Sequence, residues 1–284
     1  MDIEAGLYLC PTPIGNLGDI TIRTLEVLRS VDMIAAEDTR NTLKLLNHFD
    51  IKGNLTSYHE HNRYEKADYL IGQILSGKSI ALVTDAGMPA ISDPGEVLVK
   101  RCIEENIYVT SLPGACAAVT AVTVSGFDTG RFLFEGFLPA DKVERDRVLS
   151  ELKNETGTLI FYEAPHRLKK TVAVLYEGLG NRRVAFCREL TKLHEQIVRM
   201  ELKDAAGYFE KTEPRGEYVL VVEGRDKDEL LKEKREEFKT VSVTDRVRSY
   251  VDGGMDKKEA MRAVARERGV SKRDIYNALL KEEE

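Results

Sequence analysis

One loop combines two carboxylates with rigid backbone at the end of a predicted strand. Residues 80–83 are a short apolar run, and the loop that follows contains Asp85, Asp93, two Gly and two Pro. Gly lets backbone approach a ligand closely, and Pro stiffens the loop. In an open α/β sheet, ligands bind beyond the carboxyl ends of the strands. The pattern therefore indicates a ligand site, although a wide turn with two capping Asp residues would use the same residue types.

A second acidic group, Glu37, Asp38 and Arg40, follows another predicted strand. Its carboxylates and guanidinium could position a substrate hydroxyl, and a carboxylate could take its proton. An N-cap with an ion pair would explain the same residues equally well. His59 and His61 form an H-x-H pair, but no third metal ligand follows at a recognisable spacing. We therefore expect that loop to line a site or to cap the next helix, with no bound metal.

Residues 72–79, GQILSGKS, match the P-loop string GxxxxGK[ST]. A working P-loop needs a strand before it and a helix after it, so that N–H groups of the helix face the phosphate. Here the apolar periodicity predicts the helix first, from Tyr64 to Leu75, and the strand afterwards. We interpret Gly77 and Lys78 as a helix stop.

Short strand-like runs alternate with amphipathic helices in the first part of the chain. The predicted strands span Gly6–Cys10, Asp32–Ala36, Leu55–Tyr58, Ser79–Thr84 and Tyr108–Leu112. The apolar face of the helix before the fourth strand is formed by Ala67, Leu70, Ile71, Ile74 and Leu75. Alternation of this kind implies a largely parallel sheet with helices on both sides.

The pattern changes after a turn-rich stretch at residues 126–131. The later predicted strands span Phe132–Phe137, Thr158–Glu163, Val184–Leu190, Gln196–Leu202 and Tyr218–Glu223. Fewer helices separate them, which indicates a mixed sheet whose last two strands could pair only through a long connection. We expect an α/β fold with two α/β domains, 1–126 and 127–226, and a ligand cleft between them.

The end of the chain is strongly charged. The stretch from Arg225 to Lys239 predicts a solvated helix or linker, and residues 240–284 predict a compact helical tail. Asp256 and Ser271 are expected to cap two successive helices joined by a tight turn. Residues 240–281 hold ten Lys or Arg against six Asp or Glu, a net charge of +4. Such a basic helix-turn-helix-like pair could contact nucleic acid, or simply stabilise the fold.

Composition narrows the function classes. The net charge of −6 means that any nucleic-acid contact must be local. No stretch approaches the roughly 20 apolar residues of a membrane span, and no secretory signal is apparent. The four Cys are scattered without a CxxC pair, which argues for reduced thiols in a cytoplasmic protein. The Pro- and Gly-rich loops at 11–17 and 112–118 suit an adenine with a zwitterionic tail better than a triphosphate.

Eight motifs between residues 6 and 224 together resemble the tetrapyrrole methylase family, whose enzymes use S-adenosylmethionine. They are PTPIGNL at 11–17, AAEDTR at 35–40, VTDAGMPAISDPG at 83–95, LPGACAA at 112–118, EGFLPA at 135–140, TLIFYEAPHR at 158–167, RELTKLHE at 188–195 and GEYVLVVEG at 216–224. The combination is most similar to the branch that methylates a cytidine ribose 2′-hydroxyl in the decoding region of bacterial 16S ribosomal RNA. The resemblance implies two α/β domains with the cofactor between them, a small C-terminal helical domain, a homodimer, and small-subunit ribosomal RNA as substrate, with no metal and no membrane.

The resemblance also implies site residues. Those expected to bind the cofactor are Pro13, Asp85, Gly87, Pro89, Ile91, Ser92, Asp93, Pro113, Ala115, Ala118, Tyr162, Glu163, Arg188, Leu190, Glu217 and Tyr218. Met88 and Cys116 stand where the family pattern differs or varies. The expected catalytic group, among which the sequence does not select the base, is Glu37, Asp38, Arg40, His61 and Asp85. The expected RNA contacts are Arg167, Lys272 and Arg273, and Arg40 is also a candidate phosphate contact.

Other functions stay open at this point. Members of the same family methylate tetrapyrrole carbons, as in corrin and sirohaem precursors, or a modified histidine on a translation factor. The GQILSGKS string would suit a nucleotide-binding protein, and the tail alone would suit a non-catalytic RNA-binding protein. The basic tail and the AAEDTR and YEAPHR segments favour RNA methylation.

Overall fold

The structure, a computed structural model, describes residues 3–282, and of these the side chains of all but residues 234, 237–240 and 281–282. The last two residues of the predicted tail lie outside the described residues. The chain divides into two compact units, one made of Met1–Leu149 with Gly157–Glu223 and the other of Ser150–Thr156 with Gly224–Glu284. In residues 3–282, no helix is both long enough and apolar enough to cross a membrane.

The first sheet lies in the larger unit and contains only parallel pairs. Its strands are β1 (Gly6–Leu9), β2 (Met33–Ala36), β3 (Leu55–Ser57), β4 (Ser79–Val83) and β5 (Val109–Ser111). Their spatial order is β3-β2-β4-β1-β5. Every residue of β1, β2 and β4 is buried, as expected for parallel strands covered by helices on both faces. The predicted parallel α/β sheet is confirmed.

Five helices connect or follow these strands. They are α1 (Ile22–Ser30), α2 (Thr39–His48), α3 (Arg63–Leu75), α4 (Gly95–Glu104) and α5 (Ala117–Ser125). The apolar face of α3 is buried as predicted, except that Leu75 is 63% exposed. Its inclusion in that face was wrong, because Leu75 lies about 90° around the helix from the centre of the buried stripe.

The P-loop-like string is a helix end. Gly77 has φ +95°, and the Lys78 N–H donates to the Gln73 carbonyl at 3.2 Å, which closes α3 with a Schellman-type bond. The Lys78 ammonium bonds to the Gln73 side chain at 2.5 Å, and β4 follows at once. The interpretation as a helix stop is confirmed.

The second sheet, also in the larger unit, is mixed as predicted. Its strands and helices are β6 (Phe132–Phe137), α6 (Lys142–Leu152), β7 (Thr158–Glu163), α7 (Pro165–Leu179), β8 (Arg183–Arg188), β9 (Gln196–Glu201), α8 (Leu202–Lys211) and β10 (Tyr218–Val222). The order is β6-β7-β10-β8-β9, with only the β6–β7 pair parallel. The last two strands do not pair with each other. The fully buried β10 lies between two neighbours, while the partly exposed β9 lies at an edge.

The smaller unit contains the helical tail. Its helices are α9 (Lys227–Thr240), α10 (Val243–Asp252), α11 (Lys257–Arg268) and α12 (Lys272–Glu282). Asp256 caps α11 and Ser271 caps α12, so both predicted caps are confirmed. The prediction missed α10, which Ser242 caps by accepting from the Asp245 N–H at 2.9 Å. A buried apolar cluster joins α10, α11 and α12, so the tail has a core of its own.

Candidate functional site

A cavity of about 380 Å³ lies where the carboxyl ends of the first sheet meet the second sheet. Its lining is mainly apolar, with Glu163 and Glu217 as the charged residues. The lining residues are Ile14, Ala86, Gly87, Met88, Ile91, Cys116, Ala117, Phe137, Tyr162, Glu163, Ala164, Pro165, Cys187, Leu190, Glu217, Tyr218 and Val219. Seven of the residues expected to bind a cofactor are therefore brought together: Gly87, Ile91, Tyr162, Glu163, Leu190, Glu217 and Tyr218. We call this space the first cavity.

Helices α5 and α7 begin at residues that line the first cavity, and α4 begins four residues after the lining residue Ile91. At or just before the start of each helix, one N–H group is bonded to a side chain. Asp93 accepts from the first residue of α4 at 2.7 Å, and the Tyr162 hydroxyl accepts from the second residue of α5 at 3.2 Å. Glu163 accepts from the residue before α7 at 2.9 Å. Free helix N-termini are the usual binding sites of phosphate. With these groups engaged and no basic residue in the described lining, the first cavity is better suited to an organic ligand without phosphates.

Both oxygens of the Glu163 carboxylate have a hydrogen-bond or ion-pair partner. Its side chain is fully buried, accepts from the Thr171 hydroxyl at 2.5 Å and pairs with the Arg167 guanidinium at 3.3 Å. Arg167 also donates to the Leu138 carbonyl at 2.6 Å. The guanidinium and hydrogen bonds compensate the desolvation of the Glu163 carboxylate. Arg167, a predicted RNA contact, is thus engaged inside the fold.

The loop after β4 is held in an unusual backbone conformation. Gly87, Ala90 and Ser92 have φ values of +86°, +66° and +59°. Asp93 stabilises the loop, since both of its oxygens accept from the Ala90 N–H at 2.9 Å. Burial raises the pKa of Asp93. Such strain is typical of ligand-binding loops, and here Asp93 supports the loop rather than lining the first cavity.

The second sheet contributes an apolar wall. Burial raises the pKa of Tyr162 to about 12, and that of the Cys187 thiol to about 11. The Tyr162 ring makes edge contacts with Phe134 and Phe137, at centroid distances of 4.8 and 5.8 Å. Both titratable groups are therefore neutral at physiological pH.

Lys192, which the sequence reasoning missed, joins three segments around the first cavity. Its ammonium lies 2.9 Å from carboxylate oxygens of both Glu189 and Glu217. A Cβ atom at Gly15 would lie 2.4 Å from the Lys192 side chain, so only glycine fits there. The loop at 11–17 therefore packs directly on Lys192. A contact between residues so far apart in the chain has no signal in local sequence.

A second cavity, of about 350 Å³, adjoins the first. Its lining residues are Thr12, Pro13, Gly15, Leu17, Asn41, Thr42, Lys44, Leu45, His48, Thr84 and Asp85. The backbones of Thr12 and Gly87 form an isolated antiparallel bridge with two hydrogen bonds of 3.0 Å. Thr12 lines the second cavity and Gly87 the first, so one pair of backbone segments lies between them.

The acidic group after β2 is an N-cap with an ion pair. Asp38 caps α2 by accepting from the Arg40 N–H at 2.8 Å, and it pairs with the Arg40 guanidinium at 2.7 Å. Glu37 accepts from the Thr84 hydroxyl at 2.9 Å. Asp85 accepts from the Asp38 N–H at 3.2 Å and from the Asn41 amide at 3.1 Å. Of the five predicted catalytic residues, Asp85 lines the second cavity, and the other four are absent from the linings of both described cavities.

His59 and His61 lie in the turn before α3, with ring centroids 6.0 Å apart. Asn62 accepts from the His59 N–H at 2.8 Å, and neither ring lines the two cavities. Between residues 3 and 282, no three His, Cys, Asp or Glu side chains approach one another as a metal site requires.

The other predicted residues lie near the first cavity or away from it. Pro13 lines the second cavity, and Arg188 donates to the Arg215 carbonyl at 2.7 Å. The remaining residues that do not line the first cavity are Pro89, Ser92, Asp93, Pro113, Ala115 and Ala118. Lys272 and Arg273 lie in the first turn of α12, in the smaller unit.

The contact between Asp38 and Arg40 leads to a prediction about the pKa of Asp38. The Arg40 side chain is the main reason that the pKa of Asp38 is lowered to about 2. Because this acid binds its proton less readily when folded, its stabilising effect is present above the ordinary pKa of 3.8 and is lost as the pH falls through about 2. In Arg40→Ala, we expect the pKa of Asp38 to rise towards its ordinary value, as measured by NMR titration of the carboxyl carbon. If the pKa of Asp38 were unchanged in this variant, the hydrogen bond from the backbone N–H of residue 40 alone would account for the lowered pKa.

The chain is similar to known proteins over most of its length. The family model described as Tetrapyrrole (Corrin/Porphyrin) Methylases matches residues 6–206. A protein of Halalkalibacterium halodurans named "Ribosomal RNA small subunit methyltransferase I" is 49% identical over 276 residues, which cover 97% of this chain and 95% of that protein. A Bacillus subtilis protein of the same name is 46% identical over 272 residues, covering 96% and 93%.

Solved structures share the fold at low identity. A diphthine synthase superimposes with a TM-score of 0.60 at 13% identity, covering 77% of this chain and 89% of that one. A uroporphyrin-III C-methyltransferase from Thermus thermophilus gives 0.55 at 19% identity, covering 77% and 94%. The expected fold class and family are confirmed: this chain belongs to the tetrapyrrole (corrin/porphyrin) methylase family.

Proposed function

We propose that this protein is an RNA methyltransferase that transfers a methyl group from S-adenosylmethionine to the ribose 2′-oxygen of a cytidine in the decoding region of bacterial 16S ribosomal RNA. The names of relatives with 41–49% identity support ribosomal RNA as the substrate. The observation that carries the cofactor assignment is the first cavity, which has a mainly apolar lining without a basic residue among the described lining residues.

The residues of the first cavity fit S-adenosylmethionine. The cavity volume of about 380 Å³ is typical of small-molecule sites, which measure roughly 300–1,000 Å³. A Cβ atom at Gly87 would lie 3.3 Å from the Ile14 side chain and 3.7 Å from the Ala115 carbonyl, so the bare backbone keeps a narrow slot open. Tyr162 and Phe137 offer aromatic contacts for an adenine. When bound, the cofactor supplies a methyl group made electrophilic by a positively charged sulfur.

The protein's own contribution is alignment and removal of one proton. A ribose hydroxyl is a weak nucleophile, so a nearby base speeds its reaction by about 10²–10⁴-fold. Of the four candidate bases, Asp38 is committed to Arg40, Glu37 to Thr84, and His61 lies outside both cavities. Asp85 is exposed in the second cavity and keeps lone pairs free beside its two hydrogen bonds. We assign it the role of general base.

The basic tail is proposed to hold the RNA. Charge reversal in Lys272→Glu/Arg273→Glu should weaken binding to small ribosomal subunits about tenfold or more and flatten its salt dependence, because phosphate contacts release counterions. Acidic side chains are compatible with the first turn of a helix, so α12 should stay folded. Filter binding at several salt concentrations measures the effect.

The matched control is Lys257→Glu/Lys258→Glu, which makes the same change of charge in the first turn of α11. Equal losses in both double variants would contradict a specific role for α12 and would indicate that the net charge of the tail matters. An unchanged affinity in both would indicate a purely structural tail.

The remaining parts of the proposal concern assembly. We propose a cytoplasmic homodimer in which residues 1–126 and 127–226 form two α/β domains and residues 240–284 form the RNA-contacting tail. Strand β6 lies at the edge of its sheet, with Phe132 and Phe137 44% and 52% exposed. Exposed apolar edges of this kind are commonly covered by a partner. Sedimentation equilibrium gives the number of copies directly.

One experiment tests the proposed reaction. Ribosomal RNA from cells with and without this protein is digested to nucleosides and oligonucleotides and analysed by mass spectrometry. We expect a single 2′-O-methylcytidine of the 16S RNA to disappear without the protein and to return on re-expression. An unchanged RNA, together with methylation of a corrin or porphyrin precursor by the purified protein, would overturn the proposal.

A further inference from the structure

We propose, resting on the proposed function, that the second cavity binds the ribose and phosphate of the nucleotide to be methylated, with Lys44 as its phosphate contact. Lys44 lies outside all eight family motifs. It lies on α2 with Asn41 and His48, at spacings of three and four residues. Residues at these spacings share one helix face, so all three side chains face the same space.

The two cavities differ in charge. The described lining of the first contains no basic residue, while that of the second contains Lys44 and His48. In the part of the chain with described side chains, Lys44 makes no ion pair, unlike Lys192 or Arg40. An ammonium without an acidic partner at the edge of a cavity is suited to a backbone phosphate.

Hydrogen bonds connect the start of α2 to Asp85, the proposed general base. Asp85 accepts from both the Asp38 N–H and the Asn41 amide, so two hydrogen bonds connect the loop after β4 to the first turn of α2. The His48 ring packs edge-on against Phe49 at 4.8 Å, which restricts it at the other end of the face. The two hydrogen bonds therefore hold the start of α2, one turn before Lys44, against Asp85, and an acid and an amine line the same cavity.

The second cavity also has the right position relative to the first. Thr12 and Gly87 are paired across the boundary, and hydrogen-bonded antiparallel partners have Cα atoms about 5.5 Å apart. Transfer of a methyl group requires the ribose 2′-oxygen to approach the methyl carbon directly, to about 3–3.5 Å. The ribose beside Asp85 would therefore extend past the edge of the Thr12–Gly87 pair towards the first cavity.

The test measures methylation kinetics of Lys44→Ala on small ribosomal subunits isolated from cells that lack the protein. We expect KM for the subunits to rise about tenfold, as for loss of one charge-assisted hydrogen bond, with kcat within about twofold. The slope of log KM against log salt should decrease by about one. Lys44→Arg should restore most of the affinity. Lys52→Ala, an exposed lysine that lines neither cavity, is the matched control.

Calorimetry with S-adenosylhomocysteine accompanies the kinetics. We expect its affinity to be unchanged in Lys44→Ala. An equal loss of S-adenosylhomocysteine affinity, or an unaltered KM and salt slope, would overturn the role of Lys44 while leaving the proposed function intact. If the wild-type protein left the subunits unmethylated, the proposed function would fail and this inference with it.

Discussion

Replacing Ala117 by Phe should abolish cofactor binding while the protein stays folded. Ala117 is the first residue of α5 and lines the first cavity, so a phenyl ring there would occupy the space proposed for the adenosine. We expect S-adenosylhomocysteine affinity to fall by about 100-fold, roughly 2.8 kcal/mol. Calorimetry measures the affinity, and thermal unfolding monitors the fold.

Val119→Phe provides the control for this change. Val119 lies two residues further along α5, is 49% exposed and does not line the first cavity. Its substitution should leave the affinity unaltered. Tight binding by both variants would show that the cofactor is held elsewhere.

Asp85→Asn should greatly slow methylation, while the protein should still bind S-adenosylhomocysteine and small ribosomal subunits. The amide has nearly the shape of the carboxylate but cannot accept the proton of the ribose hydroxyl. The expected loss in kcat is about 10²–10⁴-fold, the usual contribution of a general base. Single-turnover methylation of small ribosomal subunits measures it, together with S-adenosylhomocysteine affinity.

The kinetic constant that changes distinguishes a base from a group that only binds the substrate. Asp85→Asn should lower kcat and leave KM for the subunits within about twofold, because only the proton transfer is lost. Asp50→Asn is the control, because Asp50 has φ +51°, which Asn tolerates, and lines neither cavity. A loss below about threefold in Asp85→Asn would contradict its assignment, and Glu37 would then be the next residue to test.

Local patterns predicted most secondary-structure elements because their signals are local. The apolar runs of β1, β2 and β4 are bounded by charged residues, Gly or Pro, and helices α11 and α12 have Asp256 and Ser271 as caps. Helix α10 was missed although its cap is also visible in the sequence, as Ser242 three residues before Asp245.

Features that depend on distant residues were not predictable in the same way. The place of β10 between β7 and β8 follows from pairing across the whole second sheet, which no local period encodes. The contact of Gly15 with Lys192, and the split between residues that line the first and second cavities, are likewise long-range. Motif resemblance grouped Asp85 with the cofactor residues, whereas the fold places it on the other side of the Thr12–Gly87 bridge.

The central place of β10 has a consequence for biosynthesis. Strands β7 and β8 leave the ribosome well before their shared partner, so their facing edges stay unpaired while the nascent chain grows. Unpaired strand edges invite mispairing with other chains, which makes this interval the vulnerable period of folding. Glu217, Tyr218 and Val219 at the start of β10 also complete the wall of the first cavity. A partly translated chain therefore lacks a complete first cavity, whose wall is finished only once nearly all of the larger unit has emerged.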